Sequence, residues 1–221
     1  MHRIIVFLGP SLEHESADTI LAAEYRPPAK RGDLLRAVQD GADIIGLIDG
    51  VFHQESAVAH REILAAIKKG VKVVGSSSMG ALRAAEMDTL GMTGIGEVYR
   101  MYKSGELVSD DEVALVFDPE TGFSLSEPLV NIRFTFREAE RQGIVTAQDH
   151  TALLAAAKSI FYPQRTYGRI VSAAGAAINQ ETRERFLTWV KLYAVDQKRE
   201  DAVAALEYIR GIANEIPGSL K

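Results

Sequence analysis

Short apolar runs alternate with segments of helical periodicity over the first 75 residues. The runs lie at residues 3–8, 43–48 and 71–74, and runs of this kind are typical of strands buried on both faces of a parallel sheet. Helices are predicted from residue 12, after a Ser11 cap, and over residues 34–39 and 56–69. This order of strands and helices predicts an α/β fold with a mostly parallel, three-layer sheet domain.

Two segments between these elements need separate interpretation. Residues 24–32 contain Pro27, Pro28 and Gly32, so they are predicted to form a loop. Residues 112–117 form a further apolar run, and we predict a fourth strand there.

The pattern changes near residue 121. Helical periodicity extends over residues 126–142, 147–160, 164–177 and 180–210. The sequence therefore predicts an α/β core domain over residues 1–120 and a helical C-terminal region over residues 121–221. Phe186, Trp189 and Tyr193 share one helical face. Core packing is the favoured explanation of this stripe, and a partner-binding face is the alternative.

Composition limits the classes of function. The chain has 221 residues, a net charge of −5 and a pI near 5.6, which argues against nucleic acid as a partner because nucleic-acid binding needs a basic surface. The sequence contains no apolar run of 18 residues and no signal-peptide pattern, so we expect a cytoplasmic protein without a membrane partner. The oligomeric state stays open, and a homo-oligomer is compatible with the sequence.

A serine-rich turn between the third strand and the next helix is the first candidate for chemistry. Ser76, Ser78 and Gly80 stand at alternate positions there, close to the pattern that lifts a nucleophilic serine out of a sheet, although a serine replaces its first glycine. Amides at the start of the following helix could stabilise an oxyanion at Ser78. The alternative is a series of helix-capping serines in an ordinary turn.

Three loops are expected to meet at the carboxyl edge of a parallel sheet, where ligands of such sheets bind. The first strand leads to Ser11, the second to Asp49 and His53, and the third to Ser77 and Ser78. His53 is the easiest general base to position at this edge. Asp49 is also explained as a turn former before a glycine.

His60 is the second candidate base. It lies on the same helical face as Ile63 and Ile67, which favours a hydrogen-bonded core residue, but it could also point into the site. Arg83 and Glu86 are one helical turn apart. They form either a surface ion pair or, with Arg83 directed into the site, a carboxylate-binding position. The candidate catalytic residues are Ser78, His53, Asp49 and His60, and the candidate substrate-binding residues are Ser11, Ser77, Gly80, Arg83 and Glu86.

No cofactor or metal is expected. The glycines of residues 91–96 follow a helix rather than a strand, which argues against a nucleotide-binding loop. A G-K-[ST] phosphate loop is absent from the sequence. The acidic run Asp110, Asp111 and Glu112 is better explained as a solvated turn than as a cation site.

With these residues in view, the chain resembles the TfuA-like protein family over roughly residues 4–117. The matching segments are Phe7-Leu8-Gly9-Pro10-Ser11-Leu12, Pro27-Pro28-Ala29-x-x-Gly32-Asp33, Ile48-Asp49-Gly50-x-Phe52, Glu62-Ile63-Leu64, Ser77-Ser78-Met79-Gly80-Ala81-Leu82-Arg83-Ala84-Ala85-Glu86 and Gly91-Met92-x-Gly94-x-Gly96. The serine-containing string is the longest and most specific of them. The helical region resembles the family poorly.

The resemblance implies a partner and a reaction. TfuA-like proteins accompany YcaO enzymes, which activate peptide-backbone amides with ATP, and the pair converts amides to thioamides in ribosomally made peptides or in methyl-coenzyme M reductase. The family's expected role is to supply sulfide by hydrolysing the C-terminal thiocarboxylate of a ubiquitin-like sulfur-carrier protein. Ser78 is then the first candidate nucleophile, and Arg83 would neutralise the thiocarboxylate. His53 lies just beyond its matching motif, which weakens its assignment.

The sequence contains no cysteine, so a persulfide relay on this chain is excluded. Sulfur would leave as free sulfide or pass directly from carrier to YcaO. Two other functions remain open: a non-catalytic adaptor that binds YcaO and the carrier, and a serine hydrolase of small esters or amides.

Overall fold

A computed structural model describes residues 2–51, 56–118 and 124–215. The chain divides into two compact units, one of residues 1–110 with 198–221 and one of residues 111–197. The prediction of domains at 1–120 and 121–221 concerns which parts of the chain fold independently, and it stays a prediction.

The first unit is built on a five-stranded parallel sheet. The strands are β1 (Ile4–Phe7), β2 (Glu24–Arg26), β3 (Ile44–Leu47), β4 (Lys72–Ser76) and β5 (Thr93–Ile95). Their order is β2-β1-β3-β4-β5, and every neighbouring pair is parallel. The predicted α/β class with a parallel sheet is confirmed. The edge strands β2 and β5 were not predicted, because three residues are too few to show a periodicity.

Ten α-helices are found among the described residues. They are α1 (His14–Ile20), α2 (Asp33–Gln39), α3 (His60–Lys68), α4 (Met79–Met87), α5 (Glu97–Ser104), α6 (Leu129–Arg141), α7 (Ala147–Ser159), α8 (Tyr167–Ala174), α9 (Gln180–Tyr193) and α10 (Gln197–Glu215). None of them combines the length and the apolar character needed to cross a membrane. The helix predicted over residues 180–210 is two helices, since α9 ends at Tyr193.

Each face of the sheet is covered by helices, which completes the three layers. In β1, Ile5 and Phe7 belong to a core shared with α2, α3 and α4, whereas Ile4 and Val6 belong to a core shared with α1 and α10. Burying one such side chain stabilises the fold by about 1.5–3 kcal/mol. The last helix therefore packs on the sheet, although the sequence assigned it to the helical region.

The second unit has a separate core of helices α6 to α9. Phe136 and Phe186 are fully buried there with ring centroids 5.5 Å apart. Of the aromatic stripe, Phe186 and Trp189 are core residues as favoured, but Tyr193 is 54% exposed and stacks on Trp189.

The strand predicted over residues 112–117 is wrong. A 3-10 turn covers Asp110–Glu112, and the following residues form only one isolated bridge, from Phe117 to Ser124. Ion pairs explain the difference, because Arg133 binds the Glu112 carboxylate at 2.7 and 2.9 Å and Arg165 binds Asp111 at 2.7 Å. These contacts hold the segment against the second unit's own residues.

We expect Glu127 to make the stability of the protein depend on pH. Burial of this half-buried carboxyl raises its pKa, and the negative charge of Asp196 adds to the shift. A raised pKa in the folded state means that folding is favoured while the group is protonated, and that this contribution is lost as pH rises from the unfolded value near 4.5 through the folded pKa. Glu127→Gln should therefore stabilise the protein at pH 7.5 and lose that advantage at pH 4.

Urea unfolding of Glu127→Gln and wild type at the two pH values measures this difference. Glu181→Gln, at an exposed position in α9, is the matched control and should change stability by less than about 0.5 kcal/mol at both. A Glu127→Gln advantage that is the same at both pH values would contradict the expectation.

Candidate functional site

The carboxyl edge of the sheet brings together three of the predicted site residues. Ser11, Asp49 and Ser77 follow β1, β3 and β4, and all three are buried. The Ser11 hydroxyl donates to Asp49 Oδ1 at 2.7 Å, and the Ser77 hydroxyl lies 2.9 Å from Ser11 Oγ. The three loops therefore meet in one polar cluster, in which the single Ser77 proton is shared between Ser11 Oγ and the Lys198 carbonyl.

Asp49 also fixes the backbone of the loop after β1. Its Oδ2 accepts from the amides of Gly9 at 2.9 Å and Ser11 at 3.0 Å. In a sheet of this strand order, the crevice between β1 and β3 is where ligands bind, and successive loop amides form a seat for an anion. Here the Asp49 carboxylate occupies this anion-binding position. Asp49 thus organises the edge and is more than a turn former.

The turn from Ser76 to Ser78, called the serine elbow below, has a strained backbone. Ser77 has φ +65°, the one positive φ of a non-glycine residue among the described residues. The Ser78 amide donates to the Ser76 carbonyl at 2.7 Å, which closes a three-residue turn, and such a turn with positive φ is rare and strained. The strain falls on Ser77, one residue before the predicted nucleophile.

Ser78 itself occupies the N-cap position of α4. Its side chain makes no capping hydrogen bond, and the residue is 1% exposed. The helix-capping explanation of the serines is therefore wrong for Ser78. Its neighbours make hydrogen bonds instead. The single proton of Ser76 Oγ is shared between the Ile95 and Asp201 carbonyls, at 2.8 and 2.9 Å, and Ser77 Oγ lies 2.8 Å from the Lys198 carbonyl.

Most amides at the start of α4 donate hydrogen bonds to backbone carbonyls of the protein. Gly80 N–H donates to the Ile48 carbonyl at 3.2 Å, and Ala81 N–H donates to the Ser78 carbonyl at 3.0 Å. In the part of the chain that the structure describes, the Met79 amide makes no hydrogen bond. The expectation of several helix amides directed at an oxyanion is therefore wrong, and one amide remains for that role.

Gly80 lets α4 approach β3 closely, and it has no side chain that could bind a substrate. A Cβ added there would lie 1.7 Å from the Leu47 carbonyl oxygen. The glycine lets the first turn of α4 sit directly on the end of β3. The glycines of residues 91–96 have a similar explanation, since a Cβ at Gly94 would lie 2.3 Å from the Tyr99 ring.

Sequence reasoning missed the part of α10 that covers this edge. Besides the two carbonyls that receive the serine hydroxyls, the Asp201 carboxylate accepts from the amides of Glu97 at 2.9 Å and Val98 at 2.7 Å, and so caps α5. The one local signal was that α5 begins after Gly96, which has no side chain to cap it. Nothing local indicates that a residue a hundred positions later supplies the cap.

A second group of predicted residues lines a cavity of about 640 Å³ in the same unit. One face of α4 forms a wall, with residues at spacings of three and four along the helix. The lining residues are Arg31, Ala57, Val58, Ala59, His60, Met79, Leu82, Arg83, Glu86, Val108, Ser109 and Asp110. Ser78 is not among them, but its neighbour Met79 is.

His60, Arg83 and Glu86 form a hydrogen-bonded cluster in this cavity. Glu86 Oε2 lies 2.7 Å from His60 Nε2 and 2.6 Å from Arg83 Nη1. Arg83 Nε donates to the Val58 carbonyl at 3.0 Å. The His60 side chain is 52% exposed, so the core explanation of this histidine is wrong. Arg83 lines this cavity and is at the same time paired with Glu86, so both alternatives for it stay open.

Two further assignments have simple outcomes. His53 lies outside the described residues. Among the residues that are described, no three histidine, aspartate or glutamate side chains are grouped so that they could hold a metal ion. Within the acidic run, Asp111 and Glu112 form ion pairs with Arg165 and Arg133.

The sequence profile described as TfuA-like protein matches residues 49–166, more than half of the chain. The chain belongs to the TfuA-like protein family. This family is associated with YcaO enzymes in thioamidation. A comparison with curated proteins found no match.

The family match extends differently from the resemblance seen in the sequence. It begins at Asp49, after the motifs around Ser11, and runs to residue 166, well into the helices of the second unit. It includes Asp49, His60, Ser77, Ser78, Gly80, Arg83 and Glu86. Both the serine turn and the His60 cluster therefore lie within the part of the chain that matches the family.

Gly80→Ala should strongly destabilise the protein. The new methyl group would overlap the Leu47 carbonyl oxygen, so α4 would have to move away from β3 at a cost of about 3 kcal/mol or more. Gly211→Ala in α10 is the matched control, because nothing lies within 4 Å of a Cβ there. It should stabilise the helix by roughly 0.5–1 kcal/mol.

Urea unfolding curves of the two variants test this difference. Similar free energies of unfolding for Gly80→Ala and wild type would show that the close approach of α4 to β3 is not required.

Proposed function

We propose that this chain supplies sulfide to a YcaO enzyme by hydrolysing the C-terminal thiocarboxylate of a ubiquitin-like sulfur-carrier protein, with Ser78 as the nucleophile. The observation that carries the proposal is the strained turn from Ser76 to Ser78 at the carboxyl end of β4. Strain of this kind concentrates at functional sites, and a strand-turn-helix elbow is a recurring support for acyl-transfer nucleophiles. Family membership supplies the link to thioamidation.

The reaction divides into two balanced steps. Ser78 Oγ attacks the carbonyl carbon of the thiocarboxylate, the C–S bond breaks, and the serine proton leaves with sulfur as hydrosulfide. Water then hydrolyses the acyl-serine to a carboxylic acid and restores the hydroxyl. The Met79 amide, which directly follows Ser78, is the backbone donor that would stabilise the developing oxyanion. One such donor contributes about 3–4 kcal/mol.

Burial imposes a condition on this mechanism. Ser78 is 1% exposed and Ser77 is fully buried under the Lys198 carbonyl. We therefore expect the carrier's C-terminus to reach the elbow only after local opening of the segments that cover it. Binding of the carrier or of YcaO is the event that would favour this opening.

The decisive measurement is sulfide release from a thiocarboxylated carrier by the purified protein. Ser78→Ala should reduce release by at least about 10³-fold, as loss of a nucleophile does. Ser77→Gly removes the neighbouring hydroxyl and tolerates the positive φ, so it separates the role of the turn from that of the side chain. Ser172→Ala, at an exposed position in α8, is the control and should release sulfide at the wild-type rate.

The outcomes distinguish the proposed function from its rivals. Unchanged release by Ser78→Ala would reject this serine as nucleophile, and loss confined to Ser77→Gly would move the role to Ser77. If wild type releases no sulfide but thioamide formation by YcaO still depends on the chain, the chain is an adaptor. Hydrolysis of small esters with no action on the carrier would indicate an unrelated serine hydrolase.

A further inference from the structure

We propose that the cavity along α4 is the acyl-binding pocket of the sulfide-releasing reaction, and that His60 within it is the general base that activates the hydrolytic water, with Glu86 as its positioning residue. This inference rests on the proposed function and deepens it. It selects His60 for the water step, where the sequence left two histidines open.

The proton positions follow from the partners. A carboxylate can only accept hydrogen bonds, so His60 Nε2 carries a proton and donates it to Glu86 Oε2 at 2.7 Å. The neutral ring then has its lone pair on Nδ1. No residue in the described part of the chain hydrogen-bonds to His60 Nδ1. The ring is therefore set in one tautomer with its basic nitrogen available to water.

Arg83 fixes this arrangement from the other side. Its Nη1 donates to the same Glu86 oxygen at 2.6 Å, and its Nε donates to the Val58 carbonyl at 3.0 Å. A guanidinium has five N–H donors, and those of Nη2 make no hydrogen bond to any described residue. Nη2 can thus bind the oxygen of a carbonyl group in the cavity, where negative charge develops when water attacks.

The rest of the cavity lining suits an acyl group, here the C-terminal segment of the carrier, whose carbonyl group is polar. Ala57, Met79, Leu82 and Val108 provide apolar surface. The formal charges of Arg31 and Arg83 are balanced by Glu86 and Asp110. Binding should therefore depend on directed hydrogen bonds from Arg83 more than on long-range attraction of an anion, so it should change little between 50 and 300 mM salt.

The cavity begins one residue after Ser78. Met79 lines the cavity and directly follows Ser78, so the two Cα atoms are 3.8 Å apart. In this step, water oxygen bonds to the acyl carbon and one water proton passes to His60 Nδ1. The ester bond to Ser78 then breaks, and the proton passes from His60 through a water molecule to the serine oxygen, because Ser78 does not line the cavity.

The test measures both steps in His60→Ala. We expect the steady-state rate of sulfide release to fall by about 10²–10⁴-fold, the usual contribution of a general base. Because acylation still occurs, the variant should release a burst of about one sulfide per protein chain, and intact-protein mass spectrometry should detect the trapped acyl group. Added imidazole should raise the sulfide-release rate of His60→Ala at least tenfold, because the half-exposed position of residue 60 leaves room for it.

Two further variants separate a catalytic role from a structural one. Glu86→Gln keeps the size of the side chain but removes the charge that sets the His60 tautomer, so kcat should fall with KM little changed. His150 pairs with Glu140 through Nδ1 at 2.5 Å, outside the cavity lining. His150→Ala is therefore the matched control for loss of a histidine–glutamate pair, and its rate should equal that of wild type.

The outcomes are distinct from those for the proposed function. Wild-type turnover by His60→Ala, or a loss that imidazole does not restore, would overturn the role of His60 even if Ser78 is the nucleophile. If wild type does not act on the carrier, p-nitrophenyl acetate serves as the probe. His60-dependent, imidazole-rescued hydrolysis of that ester supports the base, and its absence overturns the inference.

Discussion

The Asp49 carboxylate is the interaction on which the carboxyl edge of the sheet depends. It accepts three hydrogen bonds from the loop after β1, two from backbone amides and one from Ser11. Hydrogen bonds to a charged group contribute roughly 1.5–3 kcal/mol each. Through Ser11, the same carboxylate is connected to Ser77 at the strained turn after β4. One buried acid thus ties together loops that are far apart in sequence, and it does so where a parallel sheet would otherwise bind an external anion.

Two features of α4 relate this edge to the cavity beside it. At its start, Gly80 allows the helix to contact the end of β3 so closely that no side chain fits between them. Along its length, one face presents Arg83 and Glu86 to His60. The helix therefore carries the serine elbow at its N-terminus and the residues that contact His60 one to two turns later. A rigid helix is well suited to hold two such groups at a constant separation.

Local patterns were sufficient for the parts of the fold that depend on neighbours in sequence. The parallel sheet followed from continuous apolar runs, and α2 (Asp33–Gln39) begins one residue before the helix predicted over residues 34–39 and ends where that helix was predicted to end. The meeting of Ser11, Asp49 and Ser77 followed from one rule about parallel strands. The pairing of His60 with Glu86, 26 residues apart, could not be seen, because it depends on how two helices lie side by side. The cover supplied by Lys198 and Asp201 is more distant still, and helical periodicity alone cannot tell which surface a helix packs on.

The long connection between the elbow and α10 has a consequence for how the protein is made. Ser76 and Ser77 bond to carbonyl groups 125 and 121 residues later in the chain. Closing a segment of that length costs roughly 4 kcal/mol of chain entropy, and contacts of such separation form late in folding. During synthesis, the strands of the sheet leave the ribosome well before α10 does. The serine hydroxyls therefore stay in contact with water until α10, more than 100 residues after the turn, has left the ribosome.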